Sequence, residues 1–373
     1  MIKVLFLIPT LGHGGAERVL TNLVNNMDKT EFDITVQTMF DVGIYQDRLN
    51  KNIKYKGGFK YYFRGNTWVF KLFSPKFLYK RYVKEKYDVI VSYLEGPSAR
   101  VVSGCKGKNI KLVSWIHLMF KDLEIATRSF RNFEEAKTAY NKFDKTICVS
   151  EDVKNAFCDI FDFKGQIDVL YNTVEADIIK EKSLDGVTDI FFNKDEINLI
   201  SVAKLMKVKG YDRLVRIQKK LRDKGLPVHV YIVGVGEEQK NLQKLVDENG
   251  LTDYWTFVGF RENPYKYVAN ADLYVCSSHN EGFSTAVTEA LIVGTPVVST
   301  RCSGAEELLG YNNEYGIVTD NNEDALYEGI EKMLTQEGLL EFYKEKAATR
   351  GEKFSVSETV GAVEKMLREV VLD

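Results

Sequence analysis

The chain is short of the residues that most often build covalent or metal-centred scaffolds. Its five cysteines (Cys105, Cys148, Cys158, Cys276 and Cys302) are odd in number and far apart in 373 residues. That pattern excludes a disulfide frame or a cysteine-based zinc site and reads as a reduced, cytoplasmic protein. Among the four histidines, His13, His229 and His279 stand at no metal-ligand spacing from one another. No apolar run reaches the ~18 residues needed to cross a bilayer. The opening MIKVLFLIPT holds an apolar run of only about five residues, too short for a signal-peptide core, and reads as a buried strand. Internal repeats, low-complexity tracts and nucleic-acid-binding motifs are also lacking.

What is present is a globular composition, 45% hydrophobic and 28% charged, in a chain long enough for two domains. The net charge of −2 conceals an asymmetry: residues 54–86 carry ten Lys/Arg, one acid (Glu85) and eleven aromatics. Cations interleaved with amphipathic rings suit a surface that lies on anionic lipid headgroups. A solvated basic face with its rings in the core, or a nucleic-acid patch, are the other readings of such a segment.

Strand and helix patterns alternate along the chain, which predicts an α/β fold with parallel sheets covered by helices on both faces. Strands are expected at residues 3–8, 33–40, 88–93, 111–116, 146–150 and 167–171, with helices near 16–27, 136–144 and 150–157. Residues 174–196 are weakly patterned and polar, and read as a linker. A second series follows, with strands at 198–202, 228–233, 255–258, 273–276 and 297–300. Helices are expected at 211–223, 236–249, 263–269, 286 onward, 323–334 and 339–349. The last begins after Ser355-Val356-Ser357-Glu358, a capping-box spacing, and repeats Val360, Val363, Met366, Leu367 and Val370 at helical period. The expected domains are residues 1–180, 195–355, and a C-terminal helix at 356–373.

The most informative block is residues 277–309, SSHNEGFSTAVTEALIVGTPVVSTRCSGAEELL. A strand runs into Glu281, Gly282 permits backbone approach, and Ser284 or Thr285 can cap a helix that carries Glu289. A strand–loop–helix unit of this kind exposes a helix N-terminus to phosphate. At ~1.5 Å per helical residue, eight positions cover about 12 Å. That exceeds the roughly 5–10 Å between the carboxylates of a glycosidase and suits a nucleotide sugar, whose hydroxyl-bearing ends flank a diphosphate. Gly12-His13-Gly14-Gly15-Ala16-Glu17-Arg18 likewise joins a strand to a helix, but Glu17 stands where a dinucleotide fingerprint needs its third glycine. Gly234-Val235-Gly236 fails in the same way at Gln239. Lys204 and Lys209 follow a strand end, where two cations can neutralise a departing diphosphate. His117 also ends a strand and can bond a sugar hydroxyl or orient an acceptor, although a lone histidine is most often structural. Gly304 and Glu306 are open to turn-forming and ligand-lining roles alike.

The 277–309 block resembles the signature of the family 4 retaining glycosyltransferases of the GT-B fold. The resemblance implies two Rossmann-like domains facing a central cleft, an N-terminal one for the acceptor and a C-terminal one for the donor. The last helix would cross back to the first domain. Glu281 would contact the donor sugar and Glu289 the ribose. Backbone N–H groups across Gly282, Phe283, Ser284, Thr285, Ala286 and Val287 would hold the diphosphate. Gly14 and Gly15 lie in a loop similar to the family's Gly-Gly-Ala-Glu-Arg, and Asn172 falls at the hinge near the donor. The family often places a histidine at His117, near the donor sugar's 6-hydroxyl. Where the family usually has arginine then lysine, this chain has Lys204 and Lys209, so the first keeps its charge but loses the bidentate fork.

On this resemblance the protein is expected to move a hexosyl group from a UDP-sugar to a glycan hydroxyl. The leaving diphosphate would take the acceptor's proton on the same face. The acceptor is expected to be lipid-linked, with residues 54–86 on the inner face of the cell membrane. No Asp-x-Asp occurs, which fits a design with no metal and no cofactor. The rival readings are a nucleotide-sugar epimerase on the same fold and a non-catalytic nucleotide-sugar-binding subunit.

Overall fold

The structure, a computed structural model of the chain, describes all residues except 13, 63, 64, 108, 121 and 373, and the side chain of Asn66 is also outside it. The chain divides into two compact units, Met1–Val174 with Val356–Asp373, and Glu175–Ser355.

The first unit is built on a seven-stranded parallel sheet of order β3-β2-β1-β4-β5-β6-β7. Its strands are β1 (Ile2–Ile8), β2 (Phe32–Thr38), β3 (Lys54–Lys56), β4 (Val89–Tyr93), β5 (Lys111–Ile116), β6 (Lys145–Cys148) and β7 (Ile167–Val169). Both faces of β1 and β4 are buried, so these strands read as continuous apolar runs and not as alternating ones. The sheet order reverses between β1 and β4, and the carboxyl ends of strands at such a reversal are the usual place for a ligand.

The helix Val356–Leu372 belongs to this unit and packs on helix Gly15–Asn26. Arg368 pairs with Glu31 at 2.6 Å, and Glu364 accepts the Asp28 N–H at 2.6 Å. Val360, Val363, Met366, Leu367 and Val370, the periodic residues of the sequence, are its buried side.

The second unit repeats the plan with six parallel strands in the order β10-β9-β8-β11-β12-β13. They are β8 (Ile197–Val202), β9 (Val228–Val233), β10 (Trp255–Gly259), β11 (Leu273–Cys276), β12 (Val297–Thr300) and β13 (Ile317–Thr319). Its order reverses between β8 and β11. One core cluster runs through it, with Leu199, Val230, Ile232, Val275 and Val298 from the sheet meeting Leu214, Ile217, Leu221, Leu326 and Ile330 from the helices.

The stretch expected as a linker is part of this second unit. It contains helix Ala176–Ser183, which packs against helices Tyr265–Ala269 and Thr285–Ile292. Asp189 then bonds the Tyr267 hydroxyl at 2.7 Å and Arg261 at 2.9 Å. The Gly234–Gly236 loop is explained by close packing: a Cβ on Gly234 would lie 2.0 Å from the Ala203 carbonyl oxygen, and one on Gly236 2.2 Å from that of Leu205.

Candidate active site

In the second unit the two loops at the β8/β11 reversal are locked together. Gly210, in the left-handed region at φ +64°, lets the 204–210 loop lie against Ser277, since a Cβ there would sit 2.1 Å from the Ser277 carbonyl oxygen. Ser277 Oγ donates to the Lys209 carbonyl at 2.8 Å, and the His279 N–H to that of Val208 at 2.7 Å. Arg213, 3% exposed, clamps the second loop from below. Its guanidinium donates from Nε to the Ser277 carbonyl at 2.8 Å and from Nη2 to that of Ser278 at 2.7 Å. Nη1 bonds Asn321 at 2.9 Å. This clamp was not legible in the sequence.

The clamp fixes the principal pair of the site. Lys209 Nζ lies 2.6 Å from Glu281 Oε1, which also accepts the Ser278 hydroxyl at 2.6 Å. Burial alone would push the Lys209 ammonium toward its neutral form, but the Glu281 carboxylate outweighs it and holds the pKa above the usual lysine value. Lys204 is exposed and has no ion pair with any described residue. Thus the structure brings Lys209 and Glu281 together.

After Glu281 the chain turns through Gly282 and Phe283 into helix Thr285–Ile292. Gly304 packs on that turn, where a Cβ would meet Phe283 Cδ2 at 2.7 Å. Ser284 caps the helix by accepting the Val287 N–H at 3.4 Å. Of the expected anion-binding amides, that of Val287 is therefore occupied. Those of Thr285 and Ala286 bond no described residue and are open to a diphosphate. Glu289 is nearly closed off from solvent, at 4% exposure, within the same helix. Glu306 pairs with Arg301 at 3.3 Å.

The remaining candidates lie in the first unit. Helix Gly15–Asn26 starts after Gly14, as expected for a loop that exposes a helix N-terminus. The space above Gly14 is filled by the helix's own Glu17, whose carboxylate oxygen lies 2.0 Å from where a Gly14 Cβ would be. An acid in that position already complements the helix dipole. His13 of this loop lies outside the described residues.

His117 follows β5, its ring 4.7 Å from that of Tyr93 at the end of β4 and stacked on Trp115 at 6.3 Å. Its Nε2 is buried without a partner, and burial pushes its pKa down to about 3, so the ring is neutral. Asn172, beyond β7, is 7% exposed with its Oδ1 unpartnered.

The basic segment forms β3 and helices Asn66–Leu72 and Pro75–Tyr82. Its rings divide: Phe70 and Tyr82 enter the core, while Tyr61 (81%) and Trp68 (68%) stay exposed with Phe59, Phe73, Phe77 and the aliphatic Leu72 (63%). Phe63 and Arg64 are outside the described residues. Among the described residues no helix is long and apolar enough to cross a membrane, and no three His, Cys, Asp or Glu side chains are grouped to hold a metal ion.

Two family descriptions divide the chain much as the structure does. "Glycosyltransferase Family 4" matches residues 13–178, and "Glycosyl transferases group 1" matches residues 188–350. The chain belongs to glycosyltransferase family 4.

Among similar proteins is the N-acetylgalactosamine-N,N'-diacetylbacillosaminyl-diphospho-undecaprenol 4-alpha-N-acetylgalactosaminyltransferase of Campylobacter jejuni. It is 33% identical over 189 residues, 50% of this chain and 49% of that enzyme, so the match spans about half the relative's length. A glycosyltransferase of Haemophilus influenzae is 23% identical over 96% of this chain and 98% of its own. Anabaena HepE in complex with UDP superposes with a TM-score of 0.77 at 18% identity, over 99% of this chain and 100% of that one. This likeness shows the fold, which is GT-B.

Proposed function

We propose that this family 4 enzyme is a retaining hexosyltransferase that uses a UDP-sugar and needs no metal ion. The observation that carries the reading is the Lys209–Glu281 pair, held at the β8/β11 reversal beside the open amides of Thr285 and Ala286. A cation and two helix amides supply positive potential where a diphosphate leaves, and in a partly buried site such groups act far more strongly than in water. Glu281 would accept a donor-sugar hydroxyl while Lys209 moves to share its charge with the diphosphate. Glu289 would take the ribose. That HepE has been seen with UDP and with UDP-glucose supports the choice of nucleotide.

In this reading the acceptor is a glycan on a lipid carrier, in bacterial surface-polysaccharide or glycan assembly. Support comes from the diphospho-undecaprenol in the name of the Campylobacter relative and from the exposed rings among the lysines of residues 54–86, a peripheral contact for the inner membrane face.

The test is thermal stability against UDP-, GDP-, ADP- and CDP-sugars, with and without EDTA, followed by the anomeric configuration of the product by NMR. A shift with UDP-sugars that survives EDTA, and a retained anomer, are the expected results. A shift lost in EDTA would overturn the metal-free mechanism, and an inverted product the retaining one.

A further inference from the structure

At the carboxyl end of β4 the backbone takes a turn that nothing in the core demands. Leu94 sits at φ +87° and Gly96 at φ +79°, with Glu95 between them. A left-handed leucine is an outlier that persists only where its surroundings hold it. Here Ser98 Oγ and Ser92 Oγ both donate to the Leu94 carbonyl, at 2.6 and 3.2 Å, and the Gly96 N–H donates to the Tyr140 hydroxyl at 3.3 Å. The turn presents one side chain. Glu95 Oε2 accepts the backbone N–H groups of His117 and Leu118, at 2.9 and 3.3 Å, so it joins the ends of β4 and β5 at the sheet reversal. Its Oε1 bonds no described side chain, and none of the ion pairs among the described residues includes Glu95.

Glu95 is partly buried; with Oε2 held by two backbone N–H groups and no cation beside it, its other oxygen stays available to accept a hydrogen bond from a ligand. Burial indeed raises its pKa above the usual carboxylate range, with the N–H groups opposing.

The turn is also tied to the exposed aromatic segment. Helix Pro97–Val102 begins directly after it, and the buried Arg100 of that helix donates to the Phe70 and Phe73 carbonyls at 2.7 and 2.8 Å. The exposed segment and the helix that follows the turn are thus joined through one buried arginine.

We infer that Glu95 is an acceptor-binding residue, its Oε1 taking a hydrogen bond from a hydroxyl of the incoming sugar while its Oε2 sets the position of His117. This rests on the glycosyltransferase reading above and assigns the first unit a recognition group that the sequence did not reveal.

The full chain is tested as wild type, Glu95→Gln and Glu95→Ala, with n-octyl β-glycosides of glucose, galactose, N-acetylglucosamine and N-acetylgalactosamine as acceptor probes. Measured together are UDP release from UDP-sugars without acceptor, its stimulation by each glycoside, and the melting temperature with and without UDP. Glutamine still accepts the His117 and Leu118 N–H groups, so Glu95→Gln is expected to keep its melting temperature and its UDP shift. It should raise the acceptor KM at least tenfold with kcat less affected. Glu95→Ala should lower basal release as well as its stimulation, because His117 is released too.

Stimulation of Glu95→Gln within twofold of wild type would overturn the proposal, and so would equal loss of basal release and stimulation. A wild type that UDP stabilises but no glycoside stimulates would overturn the acceptor assignment alone. A wild type that no UDP-sugar stabilises would overturn the donor reading on which it rests.

Discussion

The two units share a sheet order yet finish their sites differently. In the second unit, Arg213, Ser277, Ser278, Lys209 and Glu281 bond one another, and none of them leaves a buried side-chain atom unpartnered among the described residues. At the corresponding edge of the first unit, Tyr93 Oη, Trp115 Nε1, His117 Nε2 and Asn172 Oδ1 are all buried without partners. Buried polar atoms are ordinarily satisfied, and the Tyr93, Trp115 and His117 rings touch one another, so these three can be completed by a ligand or ordered water. On the proposed function, the donor half is the preorganised one and the acceptor half the incomplete one.

The largest effect that would sharpen the contrast is at Glu281. Glu281→Gln keeps the shape and the bond to Ser278 but removes the charge beside Lys209. Transfer should fall by ~10²–10³-fold, the usual cost of losing one preorganised electrostatic partner, while the melting temperature changes little. Turnover near the wild-type rate would show that the closed set is structural and not part of the chemistry.

Arg213 comes next. Arg213→Met keeps much of the buried stem and removes three donors, which strands the Ser277 carbonyl and leaves the Ser278 carbonyl with only the Thr300 hydroxyl. A loss of about 2–4 kcal/mol in urea unfolding of the second unit is expected, with weaker UDP binding as the 277–284 loop loosens. If stability holds and UDP binding is unchanged, the clamp does not organise the donor loop.

How far this contrast was legible beforehand depends on the range of the interactions. Strands such as Lys111–Ile116, Val228–Val233 and Leu273–Cys276 are short β-branched runs between turns, and their bounds follow from local pattern. Ser284 as cap and Glu281 in the loop also follow from neighbouring residues. Arg213 was hidden because it stands next to Asp212 in a charged amphipathic helix and looks solvated, whereas its partners lie 64, 65 and 108 positions away. Glu95 was hidden because no residue type encodes a left-handed leucine, and SYLEGPS reads as an ordinary turn. Helix Ala176–Ser183 has no side-chain cap and buries only Ala176 and Ile179, so its sequence looks like a linker.

A smaller effect concerns the exposed rings of the first unit. Lys60 and Lys76 are exposed beside Tyr61 and Phe77. If the segment lies on anionic lipid, each contributes about 1 kcal/mol, so Lys60→Gln with Lys76→Gln should weaken binding to phosphatidylglycerol vesicles by roughly 30-fold. Raising salt should weaken the wild type more than the double variant. Salt-insensitive binding, equal in both, would remove the membrane from the open half of the comparison.

The smallest expected effect tests whether His117 works as a neutral group. Its folded-state pKa, pushed down to about 3 by burial, lies below the ~6.5 of an unfolded histidine. Between those values the unfolded chain binds the proton and the folded chain does not, so the stability tied to His117 is complete above pH ~6.5 and declines as pH falls toward 3. Glu95 acts in the opposite sense: its raised pKa makes its contribution complete below the ~4.3 of an unfolded glutamate and lost as pH rises through the folded value. In His117→Gln the first component is gone. The fall in wild-type stability between pH 6.5 and 5 should therefore be steeper than in the variant, by at most about 1.4 kcal/mol per pH unit. In the folded wild type the imidazole NMR signals of His117 should stay constant between pH 5 and 8. A midpoint near 6.5 would mean that the ring is solvated and charged in the working range, and that the unpartnered Nε2 is no part of a waiting acceptor site.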